Sequence, residues 1–154
     1  MSDPIQVVAA IVERGGSYLI TRRLEGTHLA GLWEFPGGKI RPAEKPEDAL
    51  RREMKEELGV ETSVGELLES VTWTYPEKTV RIFFYRCALQ GEPCPQERQE
   101  MRWVEAAELP GYRFPEADLR LVERLAGTRR HLDGDEPTRI GCGCVIPTTP
   151  SGGQ

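Results

Sequence analysis

The chain has 154 residues, 38% of them apolar and 29% charged, and its 20 basic and 25 acidic residues give a net charge of −5. That is enough chain for one domain with a core of its own, and the acidic balance argues against stable binding to duplex nucleic acid, whose phosphates need a basic surface. No apolar run approaches the roughly 20 residues of a membrane helix, and the opening MSDPIQVV lacks the basic region and apolar core of a signal peptide, so a cytoplasmic protein with no membrane partner is expected.

Residues 5–12 (IQVVAAIV) form a β-branched apolar run that predicts a buried strand. Gly15-Gly16 is a hairpin turn signal, and 17–21 (SYLIT) reads as the partner strand. Residues 22–39 then read as a long loop with Gly26, Gly31, Pro36, Gly37 and Gly38, and loops of that length are often functional. Residues 46–58 predict a helix: Leu50, Met54 and Leu58 form an apolar stripe, Pro46 suits its first turn, and Gly59 suits its stop. Strands follow at 61–75 and 79–89, joined by a turn at 76–78; 91–99 is a Pro-rich polar loop, and 101–104 is a short strand. A second amphipathic helix is expected over 114–126, with Leu119, Val122 and Leu125 facing inward.

From Gly127 the sequence turns polar and rich in Gly, Pro and Thr, which predicts a domain over 1–127 and a flexible tail over 128–154. Cys87, Cys94, Cys142 and Cys144 fit neither a zinc ribbon nor a disulfide framework. Free thiols are expected, with metal or redox chemistry at Cys142 and Cys144 as the alternative. The fold class is α+β, a mixed sheet flanked by helices.

Glu53, Glu56 and Glu57 lie at i, i+3 and i+4, on one face of a helix turning about 100° per residue. Three like charges so placed repel one another, and hard oxygen ligands on a rigid element suit Mg²⁺ or Mn²⁺. The competing reading is a solvated acidic face paired with Arg51, Arg52 and Lys55. Upstream, Gly37 and Gly38 permit a turn that brings backbone close to a metal or a phosphate, and Lys39 adds a point charge.

The spacing favours the metal reading. Gly38 is followed by five residues, Glu44, seven more residues and then Arg-Glu-Met-Lys-Glu-Glu-Leu-Gly-Val, ending at Val60. This matches every fixed position of the Nudix signature GX5EX7REUXEEXGU, where U is bulky and aliphatic. The stretch Leu-Trp-Glu-Phe-Pro-Gly-Gly-Lys from Leu32 to Lys39 resembles the MutT branch of that superfamily, as do Arg102-Trp103-Val104 and Phe114-Pro115-Glu116-Ala117-Asp118. The resemblance covers 5–126 and not the tail.

It implies an α/β/α sandwich and a Mg²⁺-dependent enzyme, with Mn²⁺ as an alternative cation. Its reaction is hydrolysis of (deoxy)nucleoside triphosphates, by attack at the β-phosphorus, to monophosphate and pyrophosphate. Metal ligands by similarity are Glu53, Glu56, Glu57 and the Gly37 carbonyl, with Glu100 supplied by the loop after the long hairpin; the competing reading of Glu100 is plain surface charge. Glu53 is the first choice of general base and Glu100 the second. Glu44 and Arg52 brace the helix and loop by an ion pair, behind the Gly38 turn. Arg23, His28, Glu34, Phe35 and Asp118 are expected to line the base and sugar pocket, with Phe35 offering a stacking face and Lys39 meeting phosphate. His28 reads equally as an exposed loop residue, and Asp118 as a helix N-terminal charge.

Asp118 departs from the Asn of strict 8-oxoguanine sanitisers. An ionised Asp only accepts hydrogen bonds, which suits the amine of cytosine or the N1–H and N2–H₂ edge of guanine. Oxidised guanine and cytosine nucleotides therefore both stay open as substrates to be sanitised. The alternative enzyme is a pyrophosphatase of nucleoside diphosphates linked to another group, such as ADP-ribose or a nucleotide sugar. A non-catalytic 8-oxoguanine-binding module is the alternative from another class, though such modules lose the glutamates present here. A monomer or weak dimer is expected.

Overall fold

The structure, a computed structural model, describes residues 3–27 and 29–135, with side chains through Gly127. His28 and the Cys142/Cys144 pair lie outside the described residues. The tail expected over 128–154 falls largely outside them too.

Strand β1, Ile5–Arg14, is the spine of the molecule. Successive side chains of a strand point to opposite faces, and β1 is apolar on both. Val8, Ala10 and Val12 pack with Leu50, Met54 and Leu58 of helix α1, Pro46–Leu58. Ala9 and Ile11 pack on the other side with Leu121, Val122 and Leu125 of helix α2, Leu119–Asp135. One strand thus serves two cores, which is the α/β/α sandwich in its simplest form. Leu50, Met54 and Leu58 are fully buried, each contributing about 1.5–3 kcal/mol of burial.

The remaining strands are β2 (Ser17–Arg22), β3 (Trp33–Glu34), β4 (Gly37–Lys39), β5 (Glu61–Tyr75), β6 (Lys78–Gln90) and β7 (Met101–Glu105). The sheet runs β3-β2-β1-β6-β5, with β4 on β1 and β7 on β2. β1 and β6 are parallel, from Ile5 opposite Val80 to Val12 opposite Cys87, while the other pairings are antiparallel. The sheet is therefore mixed, as expected. Among the described residues no helix is long and apolar enough to cross a membrane.

Two expectations change. The stretch expected as a loop over 22–39 contains β3 and β4. Thr21 and Arg22 oppose Glu34 and Trp33, and Val7, Val8 and Ala9 oppose Lys39, Gly38 and Gly37. Strands of two and three residues are too short for a period to register, and their partners lie far away in sequence. A Cβ on Gly37 would sit 1.9 Å from the Val8 carbonyl oxygen, so only glycine lets β4 approach β1 so closely.

The last helix also starts later than 114. Pro115 disfavours helical backbone at Phe114; a 3₁₀ turn spans Glu116–Asp118, and α2 begins at Leu119. Val122 and Leu125 are buried as expected, but Leu119, at the first residue of α2, is 43% exposed, and Leu121 is fully buried in its stead. α2 then continues past the expected end at 126 to Asp135.

Candidate active site

Helix α1 carries the acids, and its neighbours hold them in place. Arg52 donates from Nε to Glu44 Oε2 and from Nη2 to Glu44 Oε1, each at 2.9 Å, and from Nη1 to Glu53 Oε2 at 2.9 Å. Its Nη2 also reaches the Lys39 carbonyl at 3.0 Å. One guanidinium thereby joins the Glu44 loop, β4 and Glu53, and Glu44 is held down at about 2 by its bonds to Arg52 and the Arg41 amide. Gly38 lies against Glu53: a Cβ there would fall 2.3 Å from Glu53 Cδ.

Glu57 is pushed up to about 9. Burial is the main cause, followed by the charges of Glu34 and Glu53, the hydrogen bond shared with Glu53, and the charge of Glu97. Glu56 is not brought to this group. Its half-exposed carboxylate faces Arg52 at 3.6 Å and Arg41 at 3.8 Å. Among the described residues no three acidic, His or Cys side chains already stand as a closed ligand set.

Glu97, which the sequence reading passed over, comes from the loop between β6 and β7. The Cys94 and Gln96 amides of that loop donate to the Leu58 and Glu57 carbonyls at 2.8 Å each. Glu97 and Gln99 share a small cavity of about 170 Å³ with Glu34 and Glu57. Glu100 is not among its walls. It pairs with Arg22 Nη1 at 2.7 Å and lies 3.8 Å from Arg102, half exposed. The order Gln96-Glu97-Arg98-Gln99-Glu100 puts two glutamates three apart in a loop without a period, so only the docking of the loop on α1 separates them.

A larger cavity, of about 260 Å³, lies on the other side of Glu34. Its walls include Glu57, Gly37, Gly38 and Lys39 as well as Phe35, Tyr75 and Asp118. Arg23 and Glu34 line both cavities and pair at 2.7 Å. Burial raises Glu34 despite the Arg23 charge.

Phe35 is 3% exposed and already stacked on Phe114, centroids 5.2 Å apart, so one face of its ring is committed to the core. Asp118 is 5% exposed and is pushed up to about 8, chiefly by burial and then by Glu34, against the pull of Arg23. Near neutral pH it is therefore a neutral acid that donates as well as accepts, not the acceptor-only carboxylate expected from residue type alone. Tyr75, also missed by sequence, accepts a bond on its hydroxyl from the Ala117 amide at 3.3 Å. This ties the tip of the β5–β6 hairpin to the turn that presents Asp118.

The family model for the NUDIX domain matches residues 7–124. An 8-oxo-dGTP diphosphatase of Haemophilus influenzae is 43% identical over 123 residues, spanning 79% of this chain and 90% of that protein. A CTP pyrophosphohydrolase of Escherichia coli is 36% identical over 132 residues, spanning 85% of this chain and 98% of that protein. Among solved structures, the E. coli ORF135 protein superimposes with a TM-score of 0.72 at 36% identity, covering 82% of this chain and 91% of that chain. With its signature helix set against the glycine strand and its matched fold, the chain belongs to the Nudix family, on the MutT-like branch.

Proposed function

We propose that the protein hydrolyses nucleoside triphosphates to monophosphate and pyrophosphate with Mg²⁺. The observation that carries this reading is the larger cavity, whose walls hold an acid and a pair of glycines (Glu57, Gly37, Gly38) together with an aromatic ring and a hydrogen-bonding group (Phe35, Asp118). A polyphosphate and a base need those two environments side by side.

The donor set fits a divalent cation. Glu53 and Glu57 share a hydrogen bond, Glu34 and Glu97 add charge, and Glu57 rises to about 9 in consequence. Crowded carboxylates of this kind are what a hard cation relieves. Glu53, Glu57 and Glu97 would hold it, with the carbonyl of Gly37, which shares the larger cavity with Glu57, and Glu56 joining by leaving Arg41 and Arg52. Glu97 takes the place proposed from sequence for Glu100. Bound there, the cation neutralises phosphate charge and makes water more acidic.

The chain's own groups do the rest. Water adds at the β-phosphorus, the bond from that phosphorus to the α–β bridging oxygen breaks, and the monophosphate leaves with the bridging oxygen. The water's proton passes to the Glu53 carboxylate, which Arg52 orients. Lys39 meets the phosphates from the cavity wall, and the Arg23–Glu34 pair and Phe35 shape the base pocket. Neutral Asp118 offers a donor and an acceptor, which matches the N3 and N4–H₂ edge of cytosine and the O6 and N1–H edge of guanine equally well. Cytosine nucleotides and oxidised guanine nucleotides are therefore the proposed substrates.

The test is incubation with Mg²⁺ and a panel of CTP, dCTP, 8-oxo-dGTP, dGTP and ADP-ribose, with pyrophosphate and monophosphate measured separately. Release of orthophosphate alone, or turnover of ADP-ribose alone, refutes the reading.

A further inference from the structure

The last carbonyls of a helix lack partners within it and must find them elsewhere. At the end of α1 the β6–β7 loop supplies partners for two of them. Leu58 O accepts from the Cys94 amide at 2.8 Å, and Glu57 O accepts from the Gln96 amide at 2.8 Å. Gln99 adds a side-chain bond, Nε2 donating to Glu57 O at 3.3 Å. Its other end turns back, and Gln99 Oε1 accepts from the Glu97 amide at 2.9 Å. Gln99 is 8% exposed, one of the few buried polar side chains among the described residues. A buried amide with both ends bonded is costly to disturb, because each partner lost leaves a polar group unsatisfied.

The intervening backbone is strained. Arg98, between Glu97 and Gln99, has φ +63°, a region that residues other than glycine occupy rarely and at a cost. That conformation lets the Gln99 side chain fold back onto the Glu97 amide. The C-terminal glycine of α1 belongs to the same joint, since a Cβ on Gly59 would meet Gln96 Nε2 at 2.8 Å.

We propose that Gln99 is a positioning residue: by bridging the Glu57 carbonyl and the Glu97 amide, it holds the loop carboxylate of Glu97 against the helix carboxylate of Glu57. The inference rests on the metal-dependent reading above. It assigns the joint between helix and loop, not a ligand, the task of setting the spacing of the acids. Arg98 stores the strain that the two Gln99 bonds hold in place.

The experiment is calorimetric titration of the nucleotide-free protein with Mn²⁺, alongside hydrogen exchange at the Glu97 amide and the thermal midpoint of the metal-free protein. Gln99→Leu keeps the volume and removes both bonds. It should speed exchange at Glu97 and weaken Mn²⁺ binding by roughly 10–100-fold, the usual effect of removing a group that orients a ligand. At saturating cation the nucleotide KM should stay that of the wild type. Arg98→Val, a β-branched residue where φ is positive, should weaken Mn²⁺ in the same way without altering Gln99. The double variant should be no weaker than Gln99→Leu alone, because both break one joint. If Gln99→Leu does not fold, Arg98→Val carries the test through the same titration. Wild-type Mn²⁺ affinity in a folded variant, or additive losses in the double variant, overturns the inference alone. A wild-type protein that neither binds Mn²⁺ nor turns over any nucleotide overturns the functional reading, and the inference with it.

Discussion

Arg23 donates from Nη1 to Glu34 Oε1 at 2.7 Å, and this pair forms a wall common to both cavities. Glu34 therefore faces two ways. Its charge adds to the burial that raises Glu57, which also lines both cavities, and Asp118, which lines the larger one. Burial is the main cause for both Glu57 and Asp118, and the Glu34 charge adds to it, so both acids stay protonated far above their ordinary range.

The first consequence concerns base recognition. Asp118 titrates at about 8, so below that pH it donates and accepts, and above it only accepts. For CTP and for 8-oxo-dGTP the KM should rise as pH passes through about 8, by roughly tenfold or more, the worth of one two-bond contact to a base edge. Asp118→Asn keeps a donor and an acceptor at every pH and should remove that step. Steady-state KM profiles of the two proteins decide the matter: a step of equal size in both would assign it to another group.

The second concerns stability. Glu57 is raised from 4.5 to about 9 and Asp118 from 3.8 to about 8. Between the lower and upper values the folded protein binds protons that the unfolded chain has released, so stability falls as pH rises through that window. Glu44, lowered to about 2, works in the opposite sense but only below 4.5. The thermal midpoint of the metal-free protein should therefore fall steadily from about pH 5 to pH 9. Mg²⁺ should raise it more at pH 8.5 than at pH 6, because a cation competes with the proton at Glu57. Glu57→Gln should flatten the alkaline fall and, by removing a proposed cation ligand, largely abolish turnover. Near-normal activity of that variant with Mg²⁺ would end the metal assignment.

The third compares two adjacent glycines. At Gly38 a Cβ would meet only the end of the Glu53 side chain, 2.3–2.6 Å away, which can swing aside. At Gly37 it would meet the Val8 carbonyl oxygen at 1.9 Å and Ala9 Cα at 2.8 Å, which cannot. Gly38→Ala should fold and lose roughly 10–100-fold in activity by displacing Glu53. Gly37→Ala should lose stability, by about 1–3 kcal/mol, through the β1–β4 pairing. Thermal melts and turnover measured on both variants should give opposite rankings.

What could be read in advance follows from physical range. α1 was legible to its ends because Leu50, Met54 and Leu58 repeat with the helix, and Pro46 and Gly59 mark its limits. β3 and β4 were not, since two or three residues carry no period and their partners lie on β2 and β1. The stripe of α2 was legible at Val122 and Leu125 but not at its first turn, where Pro115 delays the start to Leu119 and Leu121 is buried rather than Leu119. Asp118 was visible as a residue but not as a neutral acid, because its proton depends on burial and on Glu34 across the cavity. Tyr75 gave no signal in sequence, being one aromatic on a long strand until the hairpin tip folds over Ala117.

The fourth prediction separates Glu97 from Glu100. Both glutamates lie in the segment before β7, and spacing alone could not choose between them. Glu97 acts on Glu57 through its charge and shares a cavity with it. Glu100 spends its carboxylate on Arg22, in an ion pair with both side chains 48% exposed. Such a pair contributes about 0–1 kcal/mol, so Glu100→Gln should shift the thermal midpoint slightly and leave kcat and the Mg²⁺ requirement near those of the wild type. Glu97→Gln should instead raise the Mg²⁺ concentration for half-maximal rate by roughly 10-fold or more, with little change in the metal-free melt near pH 5. Glu97 is the smallest of the causes that raise Glu57, so removing its charge should lower Glu57 slightly, and the alkaline fall in stability should end at a somewhat lower pH and be smaller in that variant. If Glu100→Gln proves the more damaging of the two, the loop must rearrange when cation and nucleotide bind, and the acid that works with Glu57 is Glu100.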